Sequence, residues 1–230
     1  MTGPSRSDPT SGRPARPPAS SAGLGLVPLD CPTCGAALAA AGEDVVFYCS
    51  ACRNGYRYQP ETPHLVPLEV QFVAAAHVVA ERYLPFWKLE AEVEIRNRQG
   101  GRAPRDLMRS LFGGGVSPTA SGAVRFVVPA FQADLDSAVE LARRYTREFP
   151  GLDELLGEKL IGGCYGVEDA QTLAHFALIA AEVDKPDVLR AFDYSIRFGG
   201  SRLLGVPFAR DGETWKDAVF GVRALDVDSR

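Results

Sequence analysis

Four of the five cysteines in this chain form two Cys-x-x-Cys pairs, Cys31 with Cys34 and Cys49 with Cys52. A gap of 14 residues separates the pairs. Two residues between cysteines allow a tight turn to point both sulfurs at one ion, and zinc prefers four such ligands in a tetrahedron. Because four thiolates leave no open position for water or substrate, we expect one Zn²⁺ ion with a structural role.

The residues around the pairs predict the module that holds them. Gly35 can adopt the positive φ that a tight turn requires, and Val45–Tyr48 can form the returning strand of a hairpin. The run Cys-Pro-Thr-Cys-Gly that begins at Cys31 resembles a knuckle of the zinc-ribbon family, and the resemblance covers residues 31–58. Arg53 departs from it, because glycine often stands at that position. The resemblance implies a ribbon of short β-hairpins.

Composition divides the 230 residues into four parts. Residues 1–28, rich in Pro, Ser, Gly and Arg, predict a disordered tail, because such a segment buries too little apolar surface to offset its ordering entropy. The zinc ribbon is expected at 29–60. Prolines then recur in a predicted stiff joint at 61–67, and residues 68–230 are expected to form one α+β domain.

Strand patterns are clearest in this last part. Apolar and charged residues alternate from Lys88 to Arg96, which predicts a strand with one buried and one wet face. Further strands are predicted at Arg125–Phe131, Tyr194–Phe198, Arg202–Phe208 and Ala218–Leu225.

Helical spacing predicts a helix at Asp134–Phe149, capped by Asp134 or Asp136, and a second at Glu168–Val183. The second is apolar nearly all round and is expected to be buried. Val70–Arg82 fits a helix or a strand, and we favour a helix. Gly113–Gly122 is predicted to be a loop. The fold class is thus α+β, with the ribbon followed by a mixed antiparallel sheet and helices.

Three segments place an aromatic residue just after an apolar residue and a proline: Leu84–Trp87, Val128–Phe131 and Val206–Phe208. Proline favours strand starts, edges or bulges, so the segments are either equivalent corners of a repeated β unit or a coincidence of composition. The first and third resemble segments of poorly characterised bacterial zinc-ribbon proteins. Some of those are thought to be accessory factors of membrane-stress systems, and the resemblance implies an adaptor role.

Candidate catalytic residues are few. Cys164 follows two glycines ahead of a predicted helix, where a thiol can have a lowered pKa and act as a nucleophile. His175 is expected about three turns into that helix, too far to pair with it, so we interpret Cys164 as a small buried thiol. The carboxylates of Glu90, Glu92 and Glu94 share a strand face and predict either a cation site or, more simply, a solvated face. The two tryptophans, Trp87 and Trp215, are assigned to the core.

A candidate interaction face combines Tyr56 and Tyr58 with Arg53 and Arg57, since aromatic and basic side chains together stack nucleic-acid bases. The formal net charge of the chain is -4, and residues 29–60 carry three acidic against two basic residues. Proteins that bind nucleic acid normally present a basic surface. We therefore favour the interpretation in which these tyrosines cover the zinc-site core.

These patterns predict a non-enzymatic zinc-ribbon adaptor or accessory protein that mediates protein–protein interaction in a bacterial assembly. The alternatives are a nucleic-acid-associated regulator that uses the Tyr/Arg face, and an enzyme with a pocket in residues 68–230. The expected partner is a protein, and nucleic acid is not favoured. The sequence contains neither a signal peptide nor the roughly 20 apolar residues of a spanning helix, so we expect a cytoplasmic protein.

Overall fold

A computed structural model of the chain describes residues 29–61, 64–75, 80–99, 121–153, 160–183 and 191–224. A three-stranded antiparallel sheet that carries the four cysteines precedes a seven-stranded sheet with two helices, which confirms the predicted α+β class. The elements, in chain order, are β1 (Val46–Tyr48), β2 (Gly55–Gln59), β3 (His64–Leu68), β4 (Val70–Val73), β5 (Arg82–Gln99), β6 (Ser121–Pro129), α1 (Leu135–Arg147), β7 (Leu152–Asp153), α2 (Val167–Val183), β8 (Ala191–Asp211), β9 (Thr214–Asp217) and β10 (Arg223–Ala224).

The small sheet has the order β1-β2-β3. Residues 64–68 form its third strand, where Pro67 pairs with Tyr56, so most of the stiff joint that we predicted at 61–67 belongs to a strand. Proline is tolerated there because β3 is an edge strand of this sheet. The predicted tail, residues 1–28, lies outside the described residues.

The large sheet is built around two long strands, β5 and β8, which pair antiparallel. Strand β6 lies on the other side of β5, while β4 and β9 share the far edge of β8. The strand predicted at Lys88–Arg96 is confirmed within β5. Buried and exposed side chains alternate as predicted from Leu89 to Arg96, whereas Lys88, which we expected on the wet face, is buried.

Each face of the large sheet has its own helix. The alanines of α2 pack on the face that presents Trp87 and Leu89, and α1 packs Leu141 and Tyr145 on the opposite face. Strand β1 belongs to the first of these cores through Val46 and Tyr48. Backbone hydrogen bonds also join Val46 to Gly163 in both directions, at 2.9 and 3.0 Å between nitrogen and oxygen. The small sheet is therefore anchored in the main core.

The helix that we favoured at Val70–Arg82 is wrong. Residues 70–73 form β4, which pairs parallel with β8, and Arg82 begins β5. Phe72 and Val73 are fully buried. A β-branched and aromatic run of this kind suits a pleated, buried strand better than a short helix, and tertiary pairing decides between the two.

Three further predicted segments differ from the structure in their bounds. Tyr194–Phe198 and Arg202–Phe208 are parts of one strand, β8, which continues through Gly199 and Gly200 with a register shift opposite Glu90. The segment Ala218–Leu225 begins with a turn, and only Arg223–Ala224 pairs as a strand within the described part. The predicted loop at Gly113–Gly122 lies outside the described residues except for its last two, which begin β6.

Both predicted helices are present. Asp134 caps α1, because its carboxylate accepts a hydrogen bond of 2.9 Å from the Ser137 N–H. Helix α2 has nearly the predicted extent, but the expectation that it is buried nearly all round is wrong. Phe176, Ile179 and Val183 are exposed by 48, 36 and 60%.

The three proline-containing segments lie at the same level of neighbouring strands. Pro129 pairs with Phe86, and Pro85 pairs with Gly205. The phenyl rings of Phe86, Phe131 and Phe208 pack together, with centroids 5.5 to 6.3 Å apart. The similarity between the segments therefore corresponds to one shared aromatic cluster in the core.

Candidate metal centre

Two turns of identical backbone hydrogen bonding carry the four cysteines. In the first, the Gly35 N–H donates to the Cys31 carbonyl and the Cys31 N–H to the Ala36 carbonyl, both at 2.8 Å. In the second, the Arg53 N–H donates to the Cys49 carbonyl at 2.7 Å and the Cys49 N–H to the Asn54 carbonyl at 2.9 Å. The spacing of donor and acceptor is the same in both, so the two knuckles are structural equivalents.

The equivalence places Arg53 where the first knuckle has Gly35. The φ angles of Arg53 and Gly35 are 62° and 72°, so both residues adopt the left-handed backbone conformation. The departure from the zinc-ribbon pattern that we noted at Arg53 leaves the turn unchanged. It introduces instead the strain of a side chain at positive φ.

We expect Arg53→Gly to raise the free energy of unfolding by about 0.5–1 kcal/mol, because glycine adopts this φ without steric cost. Gly35→Ala is the matched control and should lower it by a similar amount. Nothing lies within 4 Å of a Cβ built on Gly35, so its effect isolates backbone strain. Urea denaturation of the zinc-loaded protein measures both, and a destabilised Arg53→Gly variant would contradict this account.

The sulfurs of all four cysteines lie within 4.8 Å of one another. Sγ of Cys31 is 3.4 Å from that of Cys52, and Sγ of Cys34 is 3.6 Å from that of Cys49. Sulfurs at about 2.3 Å from a tetrahedral zinc ion are about 3.8 Å apart. The donor set and its spacing therefore fit Zn²⁺, whose chemistry here would be structural, since four thiolates complete its shell.

The protonation of the sulfurs also favours a cation. Burial raises the pKa of Cys31, but hydrogen bonds from Tyr56 and from the N–H groups of Cys34 and Thr33 outweigh it and bring the pKa to about 6. At Cys34 the Ala36 N–H lowers the pKa, whereas burial and the neighbouring sulfurs raise it to about 12. Adjacent thiolates repel each other, so four of them coexist at neutral pH only around a metal ion.

The proposed interaction face is divided by the structure. Tyr56 is 1% exposed and packs with Leu38 and Phe47 in the zinc-site core, as the favoured interpretation expected. Arg53 is exposed, while Arg57 and Tyr58 are half-buried. Tyr56 thus has no ring surface to offer a base, and a role for the other three in binding stays a prediction.

Three further residues, which the sequence pattern did not connect with the metal, surround the ligands. The hydroxyl of Tyr56 lies 3.2 Å from Cys31 Sγ and 2.6 Å from the Thr33 hydroxyl. The side-chain amide of Asn54 donates to Cys52 Sγ at 3.4 Å. Thr33 and Asn54 stand inside or just after the knuckles, so proximity in the chain was the one signal available for them.

His175, the histidine nearest to Cys164 in the chain, contacts strand β8. His175 Nδ1 lies 3.1 Å from the Tyr194 hydroxyl on β8, and its ring packs against Phe198. Burial lowers the pKa of His175. Cys164 follows Gly163, the residue that bonds to β1, and it is half-exposed rather than buried as we interpreted it.

The three strand carboxylates each meet a partner from β8. Glu90 pairs with Arg202 at 3.2 Å, and Glu92 pairs with Arg197 at 2.7 Å. The Ser195 hydroxyl donates to Glu94 at 3.2 Å. The arrangement matches the simpler interpretation, a solvated and ion-paired face, and exposed pairs of this kind contribute little to stability.

The two tryptophans lie in the core as predicted. The Trp87 indole N–H donates to the Tyr165 carbonyl at 2.9 Å, and Trp215 is stacked under Arg82, whose guanidinium carbon is 4.0 Å from the ring centroid.

A cleft of about 480 Å³ lies between the small sheet and the start of β5. It is lined by Arg82, Tyr48 and Leu160, together with the alanines Ala37, Ala39, Ala40 and Ala41.

Support for a ribbon-like site comes from the geometry of the cysteine cluster. No family model matches the chain, and neither the curated proteins nor the solved structures contain a significant match. Membership of the zinc-ribbon family is therefore a prediction that rests on the knuckles. Neither helix in the described ranges is long and apolar enough to cross a bilayer, and a cytoplasmic location stays a prediction.

Proposed function

We propose that this protein is a non-enzymatic zinc-ribbon adaptor that binds a partner protein through the outward face of helix α2. The observation that carries the proposal is the α2 stripe, defined as Phe176, Ile179 and Val183. These residues are three and four positions apart, a spacing that places them on one side of a helix. Exposed apolar rows with polar surroundings are typical of protein–protein contacts.

The same helix face indicates the chemistry of the partner. On the N-terminal side of the α2 stripe, its exposed residues are Glu168, Asp169 and Thr172. The face is acidic at one end and apolar at the other. A complementary partner presents an apolar row, such as one side of an amphipathic helix, with a basic residue positioned to meet Glu168 and Asp169.

The metal centre supports a binding role over a catalytic one. With four sulfurs around the ion, zinc has no position at which to activate water or polarise a substrate. Zinc would instead stabilise the fold, because Cys49 directly follows β1, and β1 packs into the core that also contains α2. Zinc thereby supports the scaffold on which the α2 stripe is displayed.

A photocrosslinking amino acid at position 179, introduced in cells that make the protein naturally, tests the proposal. We expect a covalent adduct with a different protein, identified by mass spectrometry. With that partner purified, Phe176→Ala should weaken binding by about tenfold or more, as truncation of a buried aromatic anchor does. A crosslinker at position 92, on the wet face of β5, is the control and should give no such adduct.

Two other outcomes would contradict the proposal. An adduct between two copies of this chain would assign the α2 stripe to self-association. An adduct within one chain would show that the protein covers the stripe itself.

A further inference from the structure

Three hydrogen-bond donors surround the sulfur of Cys31. The backbone N–H groups of Thr33 and Cys34 and the hydroxyl of Tyr56 all approach it. Asn54 is a second side-chain donor at a ligand sulfur, and it reaches Cys52 from a more exposed position at 3.4 Å. The four sulfurs are therefore held unequally.

The direction of the hydrogen bonds follows from the chemistry of a metal-bound thiolate. Such a sulfur carries no proton, so the Tyr56 hydroxyl must donate to Cys31 Sγ. The Tyr56 oxygen then has a free lone pair, and the Thr33 hydroxyl, 2.6 Å away, donates to it. Hydrogen bonds in such a chain polarise one another, which strengthens the bond to the sulfur.

We propose that Tyr56, oriented by Thr33, is a zinc-positioning residue that holds the Cys31 thiolate on the metal and slows release of zinc. The ring of Tyr56 is fixed within the small sheet, where its backbone pairs with Phe47 on one side and Pro67 on the other. The hydroxyl is thus presented to Cys31 by a rigid element. This assignment depends on the four-cysteine site and is independent of the adaptor role.

The hydrogen bonds of the Tyr56 hydroxyl also explain why a tyrosine, and not a phenylalanine, stands at this position of β2. A phenylalanine would fill the same space, so packing alone does not require the hydroxyl. A buried hydroxyl is retained at little cost only when it has partners, and these two partners are a metal ligand and a knuckle residue.

Zinc transfer from the loaded protein to an excess of a chromogenic chelator tests the assignment in wild type and Tyr56→Phe. We expect the variant to release zinc about tenfold faster, at the lower end of the effect of removing a hydrogen bond to a metal ligand. Tyr58→Phe is the matched control, because Tyr58 lies on the same strand and is half-buried. Its release rate should equal that of wild type.

Cobalt replacement adds a readout that a packing role does not move. Loss of the hydrogen bond raises the energy of the sulfur lone pairs, so the sulfur-to-cobalt charge-transfer band of Tyr56→Phe should shift to longer wavelength. An unchanged release rate and an unchanged band would overturn the proposal.

Thr33→Val leaves the Tyr56 hydroxyl in place and removes the group that orients it. It provides the test if Tyr56→Phe does not bind a full equivalent of zinc. It should speed release in the same direction and by a smaller factor. Release at the wild-type rate from Thr33→Val would contradict the role of Thr33 in orienting Tyr56.

Discussion

Replacement of Cys49 by serine is expected to abolish stoichiometric zinc binding and to lower the free energy of unfolding by about 5 kcal/mol or more. A structural zinc ion contributes roughly 10–16 kcal/mol of apparent binding free energy in small zinc modules, and serine is not an effective zinc ligand. About 30 residues of ribbon cannot build a hydrophobic core that compensates for this loss.

The effect of Cys49→Ser should extend beyond the ribbon. Cys49 follows β1, whose Val46 and Tyr48 are 1 and 5% exposed within the core that contains Phe72 and Trp87. The Tyr48 and Phe72 rings meet edge to face, with centroids 5.7 Å apart. A ribbon without metal therefore loosens part of the main core.

Urea denaturation followed by tryptophan fluorescence, together with zinc analysis, measures both consequences of Cys49→Ser. Cys164→Ser is the matched control, since Cys164 is outside the cysteine cluster. It should retain one zinc ion per chain and change stability by less than about 1 kcal/mol. If Cys49→Ser kept its zinc and its stability, Cys49 would not be a ligand.

The second large effect is expected at Asp217, a carboxylate that is 2% exposed. Its Oδ1 accepts hydrogen bonds from the Tyr145 hydroxyl at 2.7 Å and from the N–H groups of Val219 and Phe220 at 3.0 and 2.7 Å. Its Oδ2 accepts the Val222 N–H at 2.5 Å. Asp217 thus ties helix α1 to the turn between β9 and β10.

Asp217→Asn keeps the shape of the side chain but places an NH₂ group against an N–H. If the amide oxygen takes the place of Oδ1, it keeps three donors, but the NH₂ group then faces the Val222 N–H. In the opposite orientation the NH₂ group faces three donors instead of one. We expect a loss of about 2–4 kcal/mol, from a charge-assisted hydrogen bond replaced by an unsatisfied donor.

Tyr145→Phe removes a single donor from the same carboxylate and should cost about 1 kcal/mol. Thermal or urea unfolding of the two variants gives the comparison. An Asp217→Asn variant as stable as Tyr145→Phe would mean that the turn does not depend on the second carboxylate oxygen.

The same contacts show why part of the fold was not predictable from the sequence. Residues 218–225 have the apolar composition of a strand, but Asp217 gathers their N–H groups into a turn, and the partner that buries this aspartate, Tyr145, is 72 residues away. Val70–Val73 is too short for periodicity to separate helix from strand, and its pairing with β8 decides. By contrast, Lys88–Arg96 alternates over nine residues and needed no tertiary information.

The metal centre was more predictable than the surfaces around it. Ligand spacing is a local property, so the cysteine cluster followed from the sequence. The burial of Tyr56 depends on the antiparallel register of β1, β2 and β3, which places its hydroxyl at Cys31. Exposure of the α2 stripe was missed because an apolar sequence does not show which side of a helix meets the sheet.

Metal analysis of the purified full-length protein is the most direct test of the four-cysteine site. After purification without added metal and a wash with a weak chelator, elemental analysis should find one zinc ion per chain. Cobalt reconstitution should then give the absorption of a tetrahedral four-sulfur complex. A folded protein that holds no zinc, or a cobalt complex with fewer than four sulfur ligands, would contradict the site described above.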